Sequence, residues 1–396
     1  MTNPVSSDPE FSARSTAIKL YHHGGDNNHH HQSLLPGLPD DIAQLCLSLV
    51  PPSILYSVCR SWRRLINSAS FPAYLSLYAV VLPESQSQLQ PIPDPVDFYS
   101  FDPISRLWSS LPPPPSDPPP RFLFRHPAFI RRNLPIQSIS AAGKLVVLAA
   151  TDDQFLPALP HPLLFDPLSG RWNRGPRLAA PRRWCAAGEA GGEVYVASGI
   201  GAGYSCDVAR SIERWNLKLD PDTEPAAAKR RRRTPPAWRR LANLKDGKFS
   251  RDAIEAVGWR GRLCMVNVKG TAAKDGLVYD VARDCWRGMP EGMLAGWRGP
   301  AAAMNEETIY AVDEGRGLLR RYDGDRDSWE DVAGCGLFQG AEQVAAGGGR
   351  VCVLCAEGTR IVVVDVASPP PVRMWVEEVP SRLQVVGIHI LPRLVR

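Results

Sequence analysis

The chain has 396 residues, 46 Lys and Arg against 41 Asp and Glu, a formal charge of +5, and 38 Pro with 32 Gly. That length exceeds what one compact core usually supports, so two domains or a repeat architecture are required, and the scattered Pro and Gly clusters exclude a body of long helices. Lys229 to Arg233 supply five positive charges by themselves, so the remainder is near neutral and a broad nucleic-acid footprint is excluded.

Nine cysteines without framework spacing read as reduced thiols of an intracellular protein. No apolar run approaches the roughly 20 residues that cross a bilayer. The chain is therefore expected in the nucleus and/or the cytoplasm, with no membrane partner. Residues 1–33 are polar, lack an apolar period and are expected to be a disordered tail. The histidines within it, His22, His23 and His29 to His31, read as a solvated low-complexity tract rather than a metal site.

Residues 34–77 have helical periodicity. Leu38-Pro39-Asp40-Asp41-Ile42 opens a helix, with Asp40 or Asp41 as cap and Pro39 fixing the approach of the chain. Ile42, Leu45, Cys46 and Leu49 recur at helical spacing until Pro51-Pro52 stop the run. A second helix is expected from about Ser53, carrying Ile54, Leu55, Val58, Trp62, Leu65 and Ile66 on one face. Phe71 to Leu75 offer a third helical turn. Some forty such residues bury too little to stand alone, so their surplus apolar side chains pack either on another protein or on the rest of this chain.

The LPDDI motif, the break after Leu49-Val50 and the stretch Leu55-Tyr56-Ser57-Val58-Cys59-Arg60-Ser61-Trp62 resemble an F-box. The segment between the two helices is shorter than in many F-boxes. The resemblance implies docking to a Skp-type adaptor and through it to a cullin. By position it implies contacts from Leu38, Pro39, Ile42, Leu45, Leu49, Leu55, Val58, Cys59 and Trp62.

Residues 78–396 repeat with a period of roughly fifty residues, marked by an apolar strand ending in Asp, a turn, and then Trp. Asp102 leads to Trp108, Asp166 to Trp172, Asp280 to Trp286 and Asp323 to Trp329 at one spacing. Asp365 reaches Trp375 across a proline run, and Asn216 reaches Trp238 across a basic, Pro-rich insert at 218–236. Asp or Asn suits the turn because its side chain bonds the following backbone, and Trp fills the space between sheets. A further strand pair precedes each marker, and four strands per repeat is the propeller pattern. Only one strand, Tyr78 to Leu82, precedes the first marker, while Gln384 to Ile390 is spare at the end. A six-bladed ring therefore closes if the last strand becomes the innermost strand of the first blade, which removes two open edges.

The repeats resemble kelch repeats, although the kelch double glycine survives only as single residues such as Gly199 and Gly270. The expected fold is thus an all-β six-bladed kelch-type β-propeller with a small N-terminal α-helical F-box module. Gly247 to Ile254 and Trp297 to Pro300 are similar to the Skp-interacting-partner subgroup of plant F-box/kelch proteins. The resemblance implies a non-catalytic substrate receptor of a Skp-cullin-F-box ubiquitin ligase, with no cofactor and an unnamed protein target. The alternative is a non-degradative scaffold holding a nuclear partner.

An enzyme needs convergent acid, base, nucleophile or metal groups, and no persuasive set is present. Cys352 and Cys355 form a C-x-x-C, but on a strand such side chains point to opposite faces, so they read as core thiols. Lys229, Arg230, Arg231, Arg232 and Arg233 fit both a nuclear-import signal and a solvated basic loop. No aromatic stacking surface accompanies the run, so nucleic acid is not an expected partner. Loops between blades, together with the loops between second and third strands, are the expected target face. Its candidate anchors are Arg131, Arg132, Arg182, Arg183, Trp184, Tyr204, Phe249, Arg251, Trp297, Arg298 and Phe338. Arg182 and Trp297 are also candidates for packing between blades.

Overall fold

The computed structural model describes residues 33–50, 52–66, 71, 75–83, 95–103, 105–116, 119–120, 137–149, 159–217, 237–251, 253–269, 272–367, 371–381 and 383–394. The chain divides into two compact units, Met1–Leu47 and Ser48–Arg396, each described by itself. This division falls inside the segment expected to form one helical module.

In the first unit, helix α1 (Asp40–Ser48) starts with two carboxylates in its first turn, where they complement the helix dipole. The carbonyl of Pro39 accepts the Ala43 N–H at 2.9 Å. Asp40 Oδ1 accepts the Leu34 N–H at 3.1 Å, which folds the preceding chain back on the helix.

In the second unit, the single helix expected up to Ile66 is two, α2 (Pro52–Val58) and α3 (Arg60–Ile66). Cys59 causes the break. Its Sγ accepts the Trp62 N–H at 3.5 Å and contacts Ser61 Oγ at 3.0 Å, so sulfur takes the place of a capping oxygen at the start of α3. These bonds also hold the Cys59 thiol below its ordinary pKa. Arg63 ties the pair together, donating from Nε to the Tyr56 carbonyl at 2.5 Å and lying over the Tyr56 ring.

Six four-stranded antiparallel sheets follow. From innermost to outermost strand, blade 1 is Leu383–Pro392, Leu75–Pro83, Asp97–Asp102 and Leu107–Ser110. Blade 2 is Gln137–Ala141, Lys144–Ala149, Leu163–Asp166 and Arg171–Arg174. Blade 3 is Ala186–Ala190, Glu193–Ala197, Ile212–Asn216 and the two-residue Arg239–Arg240. Blade 4 is Ala253–Trp259, Arg262–Lys269, Ala272–Asp280 and Cys285–Gly288. Blade 5 is Ala301–Met304, Thr308–Asp313, Leu318–Asp323 and Ser328–Gly334. Blade 6 is Gln343–Gly347, Arg350–Leu354, Arg360–Asp365 and Arg373–Glu378.

The C-terminal strand is indeed the innermost strand of blade 1, paired along its length with Leu75–Pro83. The six innermost strands contact one another in cyclic order, so the ring closes between blades 6 and 1. Arg393 anchors the C-terminal strand within blade 1, donating from Nε and Nη2 to the two oxygens of Asp102 at 2.9 and 3.3 Å.

One apolar cluster sits between each neighbouring pair of blades. Strand periodicity produces this. In Leu75–Pro83, Leu77, Ala79 and Val81 enter the cluster shared with blade 6, while Tyr78 and Val80 enter the one shared with blade 2. Both faces are buried, so blade strands read as continuous apolar runs rather than alternating ones.

The Asp and Trp markers act as a hinge and a staple. Asp166, Asp280, Asp323 and Asp365 each accept a backbone N–H from the turn that follows. The rings of Trp108, Trp172, Trp286 and Trp329 lie 5.1–5.3 Å from the aromatic residue preceding the marker Asp. Their indole N–H groups donate to a carbonyl of the preceding blade or its exit: Glu378, Pro112, Ala242 and Met293, respectively. Trp238 does the same to Pro176, despite the insert before it. In blade 6, Trp375 instead donates to the Glu377 carboxylate.

Candidate functional site

The helical segments expose apolar side chains. In α1 and the residues flanking it, Leu38, Pro39, Ile42, Leu45 and Leu49 are exposed, Leu49 to 86%, while Ala43 and Leu47 are buried. In α2, Val58 is exposed, and so are Ile54 and Tyr56, which the motif alone did not single out. Leu55 corrects the expectation: it is fully buried and serves as core. Cys59 and Trp62 are half-buried. Leu55 and Val58 both lie on α2, ahead of the break at Cys59, and the helix turns Leu55 inward while Ile54, Tyr56 and Val58 face out.

On the propeller, the loops expected to face a target hold fewer free anchors than their composition suggests. Arg131 and Arg132 lie outside the described residues, as does Lys229 to Arg233, and the side chains of Tyr204 and Arg251 are likewise not described. Phe249, Trp297 and Phe338 are fully buried, a correction with one physical cause. Each lies in a linker from the outer strand of one blade to the inner strand of the next, and each plugs the core at that junction. Trp297 Nε1 also donates to Glu255 Oε2 at 3.1 Å. The signal was available: an aromatic residue four or five positions before an inner strand recurs in step with the blades.

Arg182 is the clearest correction, since its side chain is 1% exposed. Its guanidinium ion-pairs with the buried Glu213 and donates to Ser211 Oγ at 2.7 Å, while Nε donates to the Ala180 carbonyl at 3.1 Å. Burial lowers its pKa, opposed by the Glu213 charge. This network pins the small sheet formed by Arg182–Arg183 and Ile200–Gly201 onto blade 3. Trp184 is also buried, held at a φ of 53° with the Arg183 guanidinium 4.4 Å above its ring. Arg183 is half-buried, and among the candidates whose side chains are described Arg298 is the exposed one.

The six inner strands line an axial cavity of about 600 Å³. Its charged lining is Glu189, Glu255, Glu306 and Glu342, without Lys or Arg. Two of those carboxylates work between blades: Glu189 accepts Ala142 N–H at 2.8 Å, and Glu306 accepts Gly191 N–H at 2.8 and 2.9 Å. His389, on the closing strand, is buried against Ser138 Oγ (2.8 Å) and Ser140 Oγ (3.3 Å), and burial pushes its pKa down to about 4. A second groove of about 660 Å³ runs along blade 5 past Arg298, Arg316, Arg320 and Trp329. Cys352 and Cys355 fall in different inter-blade clusters, and burial pushes the Cys352 thiol up to about 12. Among the described residues no group of three or more His, Cys, Asp or Glu is placed to hold a metal.

No protein-family model matches the chain. Against individual proteins, it is 48% identical over 368 residues to the F-box/kelch-repeat protein SKIP25 of Arabidopsis thaliana, covering 91% of this chain and 90% of that protein. It is 24% identical to the F-box protein AFR of Arabidopsis thaliana, over 72% of this chain and 70% of the relative. A further F-box/kelch-repeat protein of the same plant is 28% identical over 76% of this chain and 73% of its own length.

Proposed function

The chain belongs to the F-box/kelch-repeat family, and from that premise we propose that it is the substrate receptor of a Skp-cullin-F-box ubiquitin ligase. The helical segments dock a Skp-type adaptor and the propeller holds the target protein. The observation that carries this reading is the distribution of exposed apolar surface. Of the eleven large hydrophobic residues exposed among the described residues, seven lie between Leu38 and Val58. Exposed apolar residues so concentrated along the sequence, in each of the two units, mark surfaces that a partner completes. The receptor itself needs no nucleophile, because ubiquitin arrives on a separate conjugating enzyme and the two binding surfaces supply proximity.

Purified full-length chain carrying Leu38→Ala with Pro39→Ala should lose adaptor capture while the propeller melts as in the wild type. Unchanged capture by that double variant would remove the docking reading. Within the same reading, Lys229 to Arg233 direct nuclear import. Alanine replacement of the five residues should move a fluorescently tagged chain toward the cytoplasm, and an unchanged distribution would remove that role.

A further inference from the structure

The chain holds 8 lysines against 38 arginines. Seven of the lysines lie between Lys144 and Lys274 and the eighth is Lys19, so residues 20–143 and 275–396 have none, although they hold 21 arginines. In sequence these two stretches are far apart. Closure of the ring by Leu383–Pro392 makes them neighbours, because blades 5, 6 and 1 are consecutive around the axis. Two lysine-free stretches thereby become one continuous arc, and every propeller lysine falls to blades 2, 3 and 4, their linkers and their insert. Blade 1 leads through Leu75 into the helical segments, which are lysine-free as well.

Pairing geometry accounts for some of these arginines. Arg393 engages both oxygens of Asp102 through Nε and Nη2, and Arg320 reaches Asp331 and the Trp329 carbonyl through the same two nitrogens. A planar fork makes such contacts and a lysine does not. Pairing does not account for Arg298, Arg316 and Arg373. They are exposed, and their guanidinium groups make no hydrogen bond or ion pair with a described residue. At such positions lysine supplies the same charge, and one remaining chemical difference is that lysine carries a primary amine.

We propose, resting on the receptor reading above, that the arc of blades 5, 6 and 1 is a self-protecting surface that stands beside a ubiquitin-charged conjugating enzyme without becoming an acceptor. In conjugation a deprotonated lysine ε-amine attacks the thioester carbonyl that joins the ubiquitin C-terminus to the enzyme's cysteine. The isopeptide C–N bond forms, the C–S bond breaks, and the departing thiolate takes up the proton that the amine loses. A guanidinium stays protonated, with its nitrogen electrons delocalised, and does not attack. The arginines of the arc keep their individual charges while offering no acceptor. Within residues 78–396 lysines are retained only in the other half of the ring, among them the exposed Lys245 and Lys248 in the linker from blade 3 to blade 4.

The test uses the full-length chain reconstituted with adaptor, cullin scaffold, conjugating enzyme and ubiquitin, without a target. Arg326→Lys with Arg373→Lys places amines on exposed turns and strand ends of blades 5 and 6, and Arg210→Lys does so on blade 3 as the control. The double variant should raise self-conjugation several-fold, with new conjugates mapped to positions 326 and 373, and the control should raise it little. A double variant that melts normally, captures the adaptor and gains no conjugates at those positions would overturn the proposal. Equal gain from Arg210→Lys would overturn it too. Failure of the wild-type chain to capture the adaptor is a separate result, which overturns the receptor reading and takes the proposal with it.

Discussion

Glu213→Gln isolates the role assigned to Arg182. The pair is almost wholly removed from solvent, with side chains 1% and 4% exposed. The guanidinium spends its other donors on Ser211 Oγ and the Ala180 carbonyl. Removing the Glu213 charge leaves a cation in the interior with hydrogen bonds but no counterion, a loss of about 3–5 kcal/mol. With an unfolding entropy of about 2.1 cal/mol/K per residue, a domain of this size then melts roughly 4–7 °C lower. Arg182→Met should cost a similar amount by stranding the carboxylate. Arg182→Met with Glu213→Leu removes both desolvation penalties together and should return to within about 2 kcal/mol of the wild type. Thermal and urea unfolding of the wild type, Arg182→Met, Glu213→Leu and the Arg182→Met/Glu213→Leu double variant closes the cycle and gives the coupling directly. An Arg182→Met protein as stable as the wild type, or a double variant whose loss equals the sum of the singles, would refute a buried structural pair and restore Arg182 as a surface anchor.

Two further substitutions probe the ring. His389 is neutral in the fold because burial lowers its pKa from 6.5 to about 4. Its contribution is therefore intact above pH 6.5, where the unfolded chain is also neutral, and is lost as pH falls toward 4, by about 3 kcal/mol in all. Melting at pH 7 and pH 4.5 should show a shallower acid loss for His389→Gln than for the wild type, and equal slopes would sink this assignment. Gly258 lies on the inner strand of blade 4, where an added Cβ would meet the Glu189 carbonyl oxygen of blade 3 at 1.6 Å. Gly258→Ala must push the neighbouring backbones apart and should cost about 3 kcal/mol or more. Gly288→Ala, on the outer strand of the same blade, meets nothing within 4 Å and should melt within a degree or two of the wild type.

The propeller was legible because its markers are geometric necessities repeated six times. An Asp that turns a hairpin and a Trp that staples the blade to its predecessor recur in fixed relation, and four of the six copies keep one spacing. Ring closure was legible for a different reason, the count of strands at the two ends of the chain. The helix break at Cys59 was not, because sulfur is a weak acceptor and Cys carries little capping signal, whereas Asp40 and Asp41 announce α1 plainly. The short outer strand of blade 3 was masked by the insert between Asn216 and Trp238, which separates the marker from its partner.

The target face resisted reading because the same residue types serve two purposes there. Arg, Trp and Phe are the usual anchors of protein interfaces, but a linker crossing from one blade to the next must also seal the end of the core beneath it. Phe249, Trp297 and Phe338 meet that second demand, and Arg182 meets a polar version of it. Period distinguishes the two uses. A residue needed at every junction recurs with the blades, whereas a residue selected by one target has no reason to. Arg298 sits one position after the plug Trp297, outside the repeat, exposed and without a described partner. A target that uses the groove along blade 5 should therefore bind less well to Arg298→Ala with no loss of melting temperature, whereas Trp297→Ala should lose both binding and fold.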